Sequence, residues 1–131
     1  GGSIGQGLPL AVGASLAKPD RPVITLHGDG GAMYTVQALW TQARENLNIT
    51  NIIFSNRSYE ILKIELDRVQ AIETGDRAAS MFSLDNPPIN WCKLSESMGV
   101  PAYNPKTVKE FTDFFNKSIN EPGPSLIELN V

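Results

Sequence analysis

Several features are scarce in this sequence, and each scarcity excludes a class of protein. The 131 residues include a single cysteine, Cys92, which excludes an internal disulfide framework. So few cysteines are typical of a reducing compartment, and we expect a cytoplasmic protein. Lysine and arginine number 11 against 14 aspartates and glutamates, so there is no basic stripe for nucleic acid. No apolar run approaches the roughly 20 residues of a membrane-spanning helix. We therefore expect neither nucleic acid nor a membrane as a partner.

The start of the chain also lacks an initiator methionine. It begins Gly1-Gly2-Ser3-Ile4-Gly5, a glycine-dense segment that we interpret as the interior of a longer polypeptide. The composition nonetheless provides for a core, because 41% of the residues are hydrophobic. The length fits one domain of ordinary size. We therefore interpret residues 1–131 as a single domain of something longer.

Glycines and prolines divide the chain into alternating helices and strands. Apolar side chains recur at helical spacing in five segments, which are 8–17, 33–46, 59–70, 91–98 and 107–119. Continuous apolar or β-branched runs predict buried strands at 23–27, 49–55 and 124–129, with a short edge strand at 100–103. This order predicts an α/β fold, a three-layer α/β/α arrangement with a mostly parallel open sheet.

Two segments in the second half of the chain support more detailed predictions. The polar stretch 71–90 contains Pro87 and Pro88 and is predicted to be a long loop. Thr107 and Glu110 have the spacing of a capping box at the start of the last helix. The predicted buried face of that helix consists of Val108, Phe111, Phe115 and Ile119, with Phe114 as a further core residue.

A glycine-rich segment follows the first predicted strand, at residues 28–32. Ligands of open α/β sheets bind at the carboxyl ends of the strands. The glycines let the backbone approach a ligand, and the amides of Gly30, Gly31 and Ala32 are predicted to open the next helix, where N–H groups favour an anion. Asp29 would repel a phosphate directly. A divalent cation between the Asp29 carboxylate and the phosphate resolves this conflict.

A second polar cluster, residues 55–59, follows the next predicted strand. Adjacent parallel strands lie about 4.8 Å apart, so the two clusters are expected to meet. Asn56 supplies an amide oxygen beside the carboxylate of Asp29, and a backbone carbonyl of the turn, such as that of Ser58, supplies a third oxygen. Oxygen ligands completed by phosphate and water suit Mg²⁺.

The spacing of these clusters resembles a known motif. Gly28-Asp29-Gly30, followed after 24 residues by Ser55-Asn56, resembles the metal–diphosphate motif of thiamine diphosphate enzymes. Residues 1–14 and 121–128 also resemble the corresponding segments of the acetolactate synthase and benzoylformate decarboxylase branch. The resemblance covers essentially the whole chain, but only the C-terminal diphosphate-binding domain of those enzymes. It implies thiamine diphosphate and Mg²⁺ as cofactors. The parent enzyme would decarboxylate a 2-keto acid and release an aldehyde or join the product to a second carbonyl compound.

The resemblance also implies roles for individual positions. Asp29 and Asn56 match the side-chain ligands of the metal, and Ser58 matches the residue whose backbone carbonyl is the third ligand. Ile4 matches the apolar wedge that bends the cofactor, and Gly2 matches the carbonyl that accepts from its 4′-amino group. Further positions that match residues beside the cofactor are Ser3, Gly28, Gly30, Gly31 and Tyr59.

Some positions depart from the family pattern. Ser55 replaces the first asparagine of the pair, and Arg57 replaces a small residue. Leu62 lies where residues of the family face the substrate, and where pyruvate decarboxylase-like members carry an acid; leucine cannot donate a proton. Leu62 and Glu65 are candidates for the substrate pocket, although helix packing and a solvated face explain them equally well.

The resemblance also implies what this chain does not contain. The glutamate that activates the cofactor belongs to a separate N-terminal domain, contributed by a neighbouring subunit. We therefore expect a homodimer or homotetramer, and we expect the isolated chain to bind its cofactors weakly or not at all and to be inactive.

Alternatives remain at the level of the sequence. The parent could belong to another thiamine branch, such as the oxalyl-CoA or sulfopyruvate decarboxylase-like enzymes, or the chain could be a non-catalytic phosphate-binding module. His27, beside the first cluster, could contact the cofactor, or equally have a structural partner on its strand. Cys92 is interpreted as a small buried hydrophobe.

Overall fold

The computed structural model describes residues 2–69 and 75–131 as an α/β fold. Its described strands are β1 (Val23–Gly28), β2 (Ile49–Ser55), β3 (Ala102–Tyr103) and β4 (Ser125–Asn130). Its described helices are α1 (Gly7–Ala17), α2 (Asp29–Ala32), α3 (Ala38–Arg44), α4 (Glu60–Arg68), α5 (Asp76–Ser80), α6 (Trp91–Ser97) and α7 (Val108–Asn120), with a 3-10 turn at Met33–Thr35. No helix among the described residues is long and apolar enough to cross a bilayer.

The strands form one parallel sheet in the order β1-β2-β4-β3. The predicted strands are confirmed, including the short edge strand, which pairs with β4 as β3. Because every described pairing is parallel, the carboxyl ends of β1 and β2 lie at the same edge, with Gly28 opposite Phe54. This register brings the two polar clusters together.

The sheet is covered on both faces. Leu8 of α1, Leu39 of α3 and Trp91 of α6 form one core cluster with Ile53 and Leu126 of the sheet. Side chains alternate along a strand, so the buried residues between these sheet positions point the other way, where α7 packs against β2 and β4. The three-layer prediction is therefore confirmed.

The first strand, β1, was predicted to be buried on both faces, but it is buried on only one. Ile24 and Leu26 are 48% and 63% exposed, whereas the alternate residues of β1 are half-buried on the side of α1. β1 is an edge strand of the described sheet, and no described helix covers the face that carries Ile24 and Leu26. The apolar pattern therefore predicted the strand correctly, but its prediction of burial holds for only one face of the strand.

The helix predicted at 33–46 begins earlier and is interrupted. Helical structure starts at Asp29, tightens into the 3-10 turn, and resumes as α3. The β-branched residues Thr35 and Val36 disfavour a regular α-helix here. The Thr35 hydroxyl donates to the carbonyl of Gly5 at 2.5 Å, so the tightened turn also anchors the N-terminal segment.

The prediction of a loop over residues 71–90 was wrong at residues 76–80, which form α5. Good helix formers follow Gly75 there, and Asp76 places an acid in the first turn, where the helix dipole favours it. Residues 71–74 of that loop, and residue 70 at the end of the helix predicted at 59–70, lie outside the described residues.

The last helix confirms most of its predicted face. Thr107 caps α7 by accepting from the amide of Glu110, but the Glu110 carboxylate accepts from the amide of Lys106, so the capping box is half formed. Phe114 stacks on Tyr103 of β3 with ring centres 4.6 Å apart. Half-buried apolar residues of this helix are Phe111, Phe114, Phe115 and Ile119. Val108, predicted to be buried, is 82% exposed, as the first residue of α7.

Candidate metal and phosphate site

Asp29 is a buried, hydrogen-bonded carboxylate at the carboxyl edge of the sheet. It begins α2 directly after β1 and is 2% exposed. Its Oδ1 accepts from the amide of Gly30 at 2.8 Å, and its Oδ2 accepts from the amide of Arg57 at 2.7 Å and the hydroxyl of Ser55 at 3.3 Å. A carboxylate has about four lone-pair positions, so these three donors leave one on Oδ1 for a cation.

The loop after β2 is shaped to meet Asp29. Arg57 has a left-handed backbone, with φ of 56°, and this turn aims its amide at the Asp29 carboxylate. Asn56 accepts from the amide of Ser58 through its Oδ1 at 3.0 Å, an Asx-turn that fixes the side chain and keeps a second lone pair on the oxygen. Ser55, where the family has asparagine, takes part in holding Asp29.

Ser58 brings the third candidate oxygen to the same place. Its side chain is buried and donates to the carbonyl of Phe82 at 3.3 Å. A Cβ added to Gly30 would lie 3.6 Å from the Ser58 backbone carbonyl oxygen, so this carbonyl faces the turn that carries Asp29. Asp29, Asn56 and the Ser58 carbonyl are therefore on neighbouring loops at one edge of the sheet.

These oxygens border a cleft of about 250 Å³. Predicted site residues that line it are Ile4, Gly28, Asp29, Gly30, Gly31, Asn56, Ser58, Tyr59 and Leu62. The sequence did not single out Tyr34, Glu60 and Ile61, which also line it. The helical spacing of Tyr34 after Gly31, and the position of Ile61 beside Leu62, were signals that could have found two of them.

Other predicted residues lie beside the cleft. Ser3 lines an adjoining cavity of about 360 Å³ that shares Ile4, Gly28 and Gly31 with the cleft. Gly2 is exposed, with φ of 80°. Glu65 is outside the described lining and pairs with Arg68 at 2.8 Å on the surface of α4.

Two tyrosines form one wall of the cleft. The rings of Tyr34 and Tyr59 meet edge to face with centres 6.4 Å apart. A Cβ on Gly30 would lie 2.7 Å from the Tyr59 ring, so only glycine allows α2 to sit this close to the second loop. The N-terminal segment forms the opposite lip, where the Ile4 side chain is 53% exposed at the mouth of the cleft.

The amides predicted to receive an anion are only partly available. The amide of Gly30 donates to the Asp29 carboxylate in this structure, and the role predicted for this amide toward a phosphate stays a prediction. Binding of a phosphate in this arrangement would rely on a cation and on the remaining donors of the turn. The described residues contain no group of three or more His, Cys, Asp or Glu side chains that could hold a metal. A cation here thus needs amide, carbonyl and external oxygens, the donor set that Mg²⁺ prefers.

His27 has a structural partner on its own strand. Its Nε2 and the Thr25 hydroxyl share a hydrogen bond of 2.5 Å, and burial lowers the pKa of the imidazole. The ring packs against Gly7 so tightly that a Cβ there would lie 1.9 Å from Cε1. His27 therefore joins β1 to the start of α1. Cys92 is half-buried, and burial raises the pKa of its thiol, as expected for an unreactive cysteine.

Comparisons with known proteins agree with this geometry. Residues 1–129 match the family described as thiamine pyrophosphate (thiamine diphosphate) enzyme, C-terminal TPP binding domain. The IlvX protein of Mycobacterium tuberculosis, whose name places it with acetolactate synthase large subunits, is 48% identical over the whole chain, which covers 26% of its length. Benzoylformate decarboxylase of Pseudomonas aeruginosa is 34% identical over 98% of the chain and 23% of its own length.

Solved structures give the same result. The 4-hydroxybenzoylformate decarboxylase of Rhodococcus jostii, described as thiamine diphosphate-dependent, superposes with a TM-score of 0.85 at 36% identity, over 98% of this chain and 23% of that one. Benzoylformate decarboxylase of Polynucleobacter necessarius gives 0.83 at 25% identity, over 99% and 24%. The chain thus spans about a quarter of the length of these proteins.

Proposed function

The chain belongs to the thiamine pyrophosphate enzymes as their C-terminal TPP-binding domain, and from this we propose that its cleft holds the cofactor diphosphate through a Mg²⁺ ion. The observation that carries the proposal is the Asp29 carboxylate. It is buried, held by three donors from two strand ends, and left with a lone pair toward the cleft.

The proposed metal ligands are Asp29, Asn56 and the backbone carbonyl of Ser58. The ligand set is neutral apart from one carboxylate, which leaves the cation enough positive charge to attract a diphosphate. Arg57 and Ser55 orient Asp29, and Tyr59 places the loop against Gly30. The site residues and the metal are proposals that rest on this geometry.

Residues of the N-terminal lip would orient the rest of the cofactor. When bound, thiamine diphosphate supplies the carbanion-stabilising chemistry on which decarboxylation of 2-keto acids depends. Ile4 projects at the mouth of the cleft, where an apolar side chain can wedge between two rings, and Gly2 offers a backbone carbonyl. Ile61 and Leu62 form the apolar rim that would exclude water from the reacting carbon.

We further propose that the parent enzyme is a 2-keto acid decarboxylase or carboligase of the acetolactate synthase-like type, a lyase or transferase. The names of several similar proteins support this substrate class. A leucine at position 62 favours members that do not use an acid at that place, since leucine cannot donate a proton.

The chain accounts for part of such an enzyme only. It spans about a quarter of its relatives, and we propose that the activating glutamate comes from a further domain, in a homodimer or homotetramer. The 131-residue chain alone is then expected to show no decarboxylation of pyruvate or benzoylformate with Mg²⁺ and cofactor present. Robust turnover by this chain would contradict the proposed division of the active site.

The metal site is tested by Asp29→Asn, which keeps the shape of the side chain and removes its charge. Even the outer partners of metal ligands are worth about 10- to 100-fold in metal affinity, so loss of the ligand charge should weaken binding at least that much. The measurement is the thermal shift given by millimolar thiamine diphosphate and Mg²⁺, which detects weak binding to the native state. We expect the wild-type protein to give a thermal shift only when thiamine diphosphate and Mg²⁺ are both present. Asp29→Asn should give no shift.

A matched control is Asp113→Asn, which removes an exposed carboxylate on α7 and should leave the shift unchanged. ADP with Mg²⁺ is the competing ligand. A larger shift with ADP than with thiamine diphosphate would favour a non-catalytic phosphate-binding module. A metal-dependent shift that survives in Asp29→Asn would show that the ligand assignment is wrong.

A further inference from the structure

A second polar cavity lies at the same edge of the sheet, on the other side of the loop that carries Arg57. Its volume is about 240 Å³, and the polar residues that line it are Arg57, Asn90, Asn104, Lys106, Glu128 and Asn130. Among the described residues it shares no lining residue with the cofactor cleft. Two residues connect the cavity to the cleft: the backbone amide of Arg57 donates to Asp29, and the Ser55 hydroxyl lies between Asp29 and Glu128. The cavity and the cleft are therefore neighbours with separate linings.

Glu128 lies at the inner end of this cavity. The residue is 8% exposed, and no cation of the described residues comes within salt-bridge distance of its carboxylate. Burial raises the pKa of Glu128, whereas Lys106, Arg57 and the Ser55 hydroxyl lower it, and the Asp29 carboxylate raises it. A carboxylate that is this buried and has no cationic partner carries a desolvation cost, which a bound cation would offset.

Positive charge lines the outer side of the same cavity. Lys106 is exposed, and its ammonium group contacts the Asn104 side-chain oxygen without forming a described salt bridge. Arg57 pairs with Asp85 at 3.1 Å, and both side chains are about half exposed, so the pair is weak. The cavity thus carries an inner negative end and an outer positive end.

The arrangement of charge decides between ligand classes. A metal cation would meet Glu128 but also two positive side chains, and a simple anion would meet the two cations but also the buried carboxylate. A molecule with an ammonium group and a carboxylate satisfies both ends. Asn90 adds a hydrogen-bonding group, because its Oδ1 caps α6 and its Nδ2 remains as a donor. The side chains of Asn104 and Asn130 bond to each other.

We propose that this cavity is a second ligand site that binds a small zwitterion of the α-amino acid class. The ammonium group binds Glu128, and the carboxylate binds Lys106 and Arg57. The site lies entirely within the described residues, and its test uses neither Mg²⁺ nor thiamine diphosphate, so its failure and the failure of the proposed function are separate outcomes.

The proposal is tested by titrating the ¹⁵N-labelled protein with L-alanine and following the side-chain amide signals of Asn90, Asn104 and Asn130. Propionate lacks the ammonium group of alanine, and ethylamine lacks its carboxylate. We expect saturable shifts with alanine in the millimolar range, and binding of each analogue weaker by at least about tenfold. The proposal would be overturned if alanine gave no saturable shift of these signals. That would be the result if Lys106 turned inward and paired with Glu128. Equal binding of propionate would identify a plain anion site and overturn it as well.

Two variants test the two ends of the site. Glu128→Gln and Lys106→Gln are each expected to weaken alanine binding by at least about tenfold, because each removes one charged partner. Lys18→Gln removes the same charge at the opposite edge of the sheet and should bind alanine as the wild type does. If Glu128→Gln fails to fold, Lys106→Gln alone tests the site, because Lys106 is exposed and its replacement should not disturb folding. Unchanged alanine binding in Lys106→Gln would overturn the assignment.

Discussion

Gly30 shows how one residue fixes the geometry of the candidate site. From the sequence, the role predicted for this glycine was to let a ligand approach the backbone closely. The structure gives a second reason, since the Tyr59 ring occupies the space that a side chain would need. The ring could not be anticipated from a residue 29 positions away, because the contact depends on how the two loops meet.

Gly30→Ala is expected to destabilise the protein. The added Cβ would lie 2.7 Å from the Tyr59 ring, and relieving such a clash costs about 1–3 kcal/mol, partly offset by the better helix propensity of alanine. Urea unfolding without cofactor should show a net loss of up to about 2 kcal/mol. The loss should shrink in a Tyr59→Ser background, where the ring is gone.

Gly13→Ala is the matched control for that experiment. Gly13 also lies in a helix, but a Cβ added there would have nothing within 4 Å. Alanine should therefore raise the free energy of unfolding there by about 0.5–1 kcal/mol. If Gly30→Ala were as stabilising as Gly13→Ala, Tyr59 would not restrict this position.

At the level of elements, the start of the last helix, α7, could be predicted from the sequence. Thr107 was predicted to cap α7 and does so, because the cap requires only residues three positions apart. The Glu110 carboxylate, by contrast, takes the amide of Lys106 instead of the Thr107 amide. Local spacing thus predicted where the helix begins, but not every hydrogen bond at its N-terminus.

Thr107→Ala should remove this cap and lower the free energy of unfolding by about 1 kcal/mol, as measured by urea denaturation. Thr107→Ser should retain most of the stability, since the hydroxyl remains. Thr112→Ala serves as the comparison in the same helix, because its hydroxyl only bonds back to the Val108 carbonyl. We expect that change to be neutral or slightly stabilising. Similar losses at positions 107 and 112 would argue against a capping role.

For the whole molecule, Trp91 is the centre of the core. It is fully buried and packs in a cluster that joins α1, α3 and α6 to the sheet. No described residue accepts from its Nε1, so the side chain contributes through packing alone. Its environment is set by elements from across the chain.

Trp91→Ala is expected to cost about 3–5 kcal/mol, a large part of the roughly 5–15 kcal/mol that stabilises a typical domain. Trp91→Phe should cost clearly less, since the aromatic packing is mostly kept and an N–H without a described partner is lost. The urea midpoint measures both. Equal losses for the two variants would mean that the indole N–H has a partner and contributes to stability.

The sequence by itself determined the order of helices and strands, the parallel sheet, and the positions of Asp29 and Asn56 at two strand ends. These features follow from local periodicity, from turn residues and from the rule that parallel strands end at one edge. Only the tertiary structure decided which groups hold Asp29, that Ile24, Leu26 and Val108 are exposed, and that Glu128, Lys106 and Arg57 line one cavity. An apolar or charged residue type expresses a preference for burial or pairing. Whether a covering helix or a partner is present depends on residues distant in the sequence, and their positions are fixed only when the chain packs.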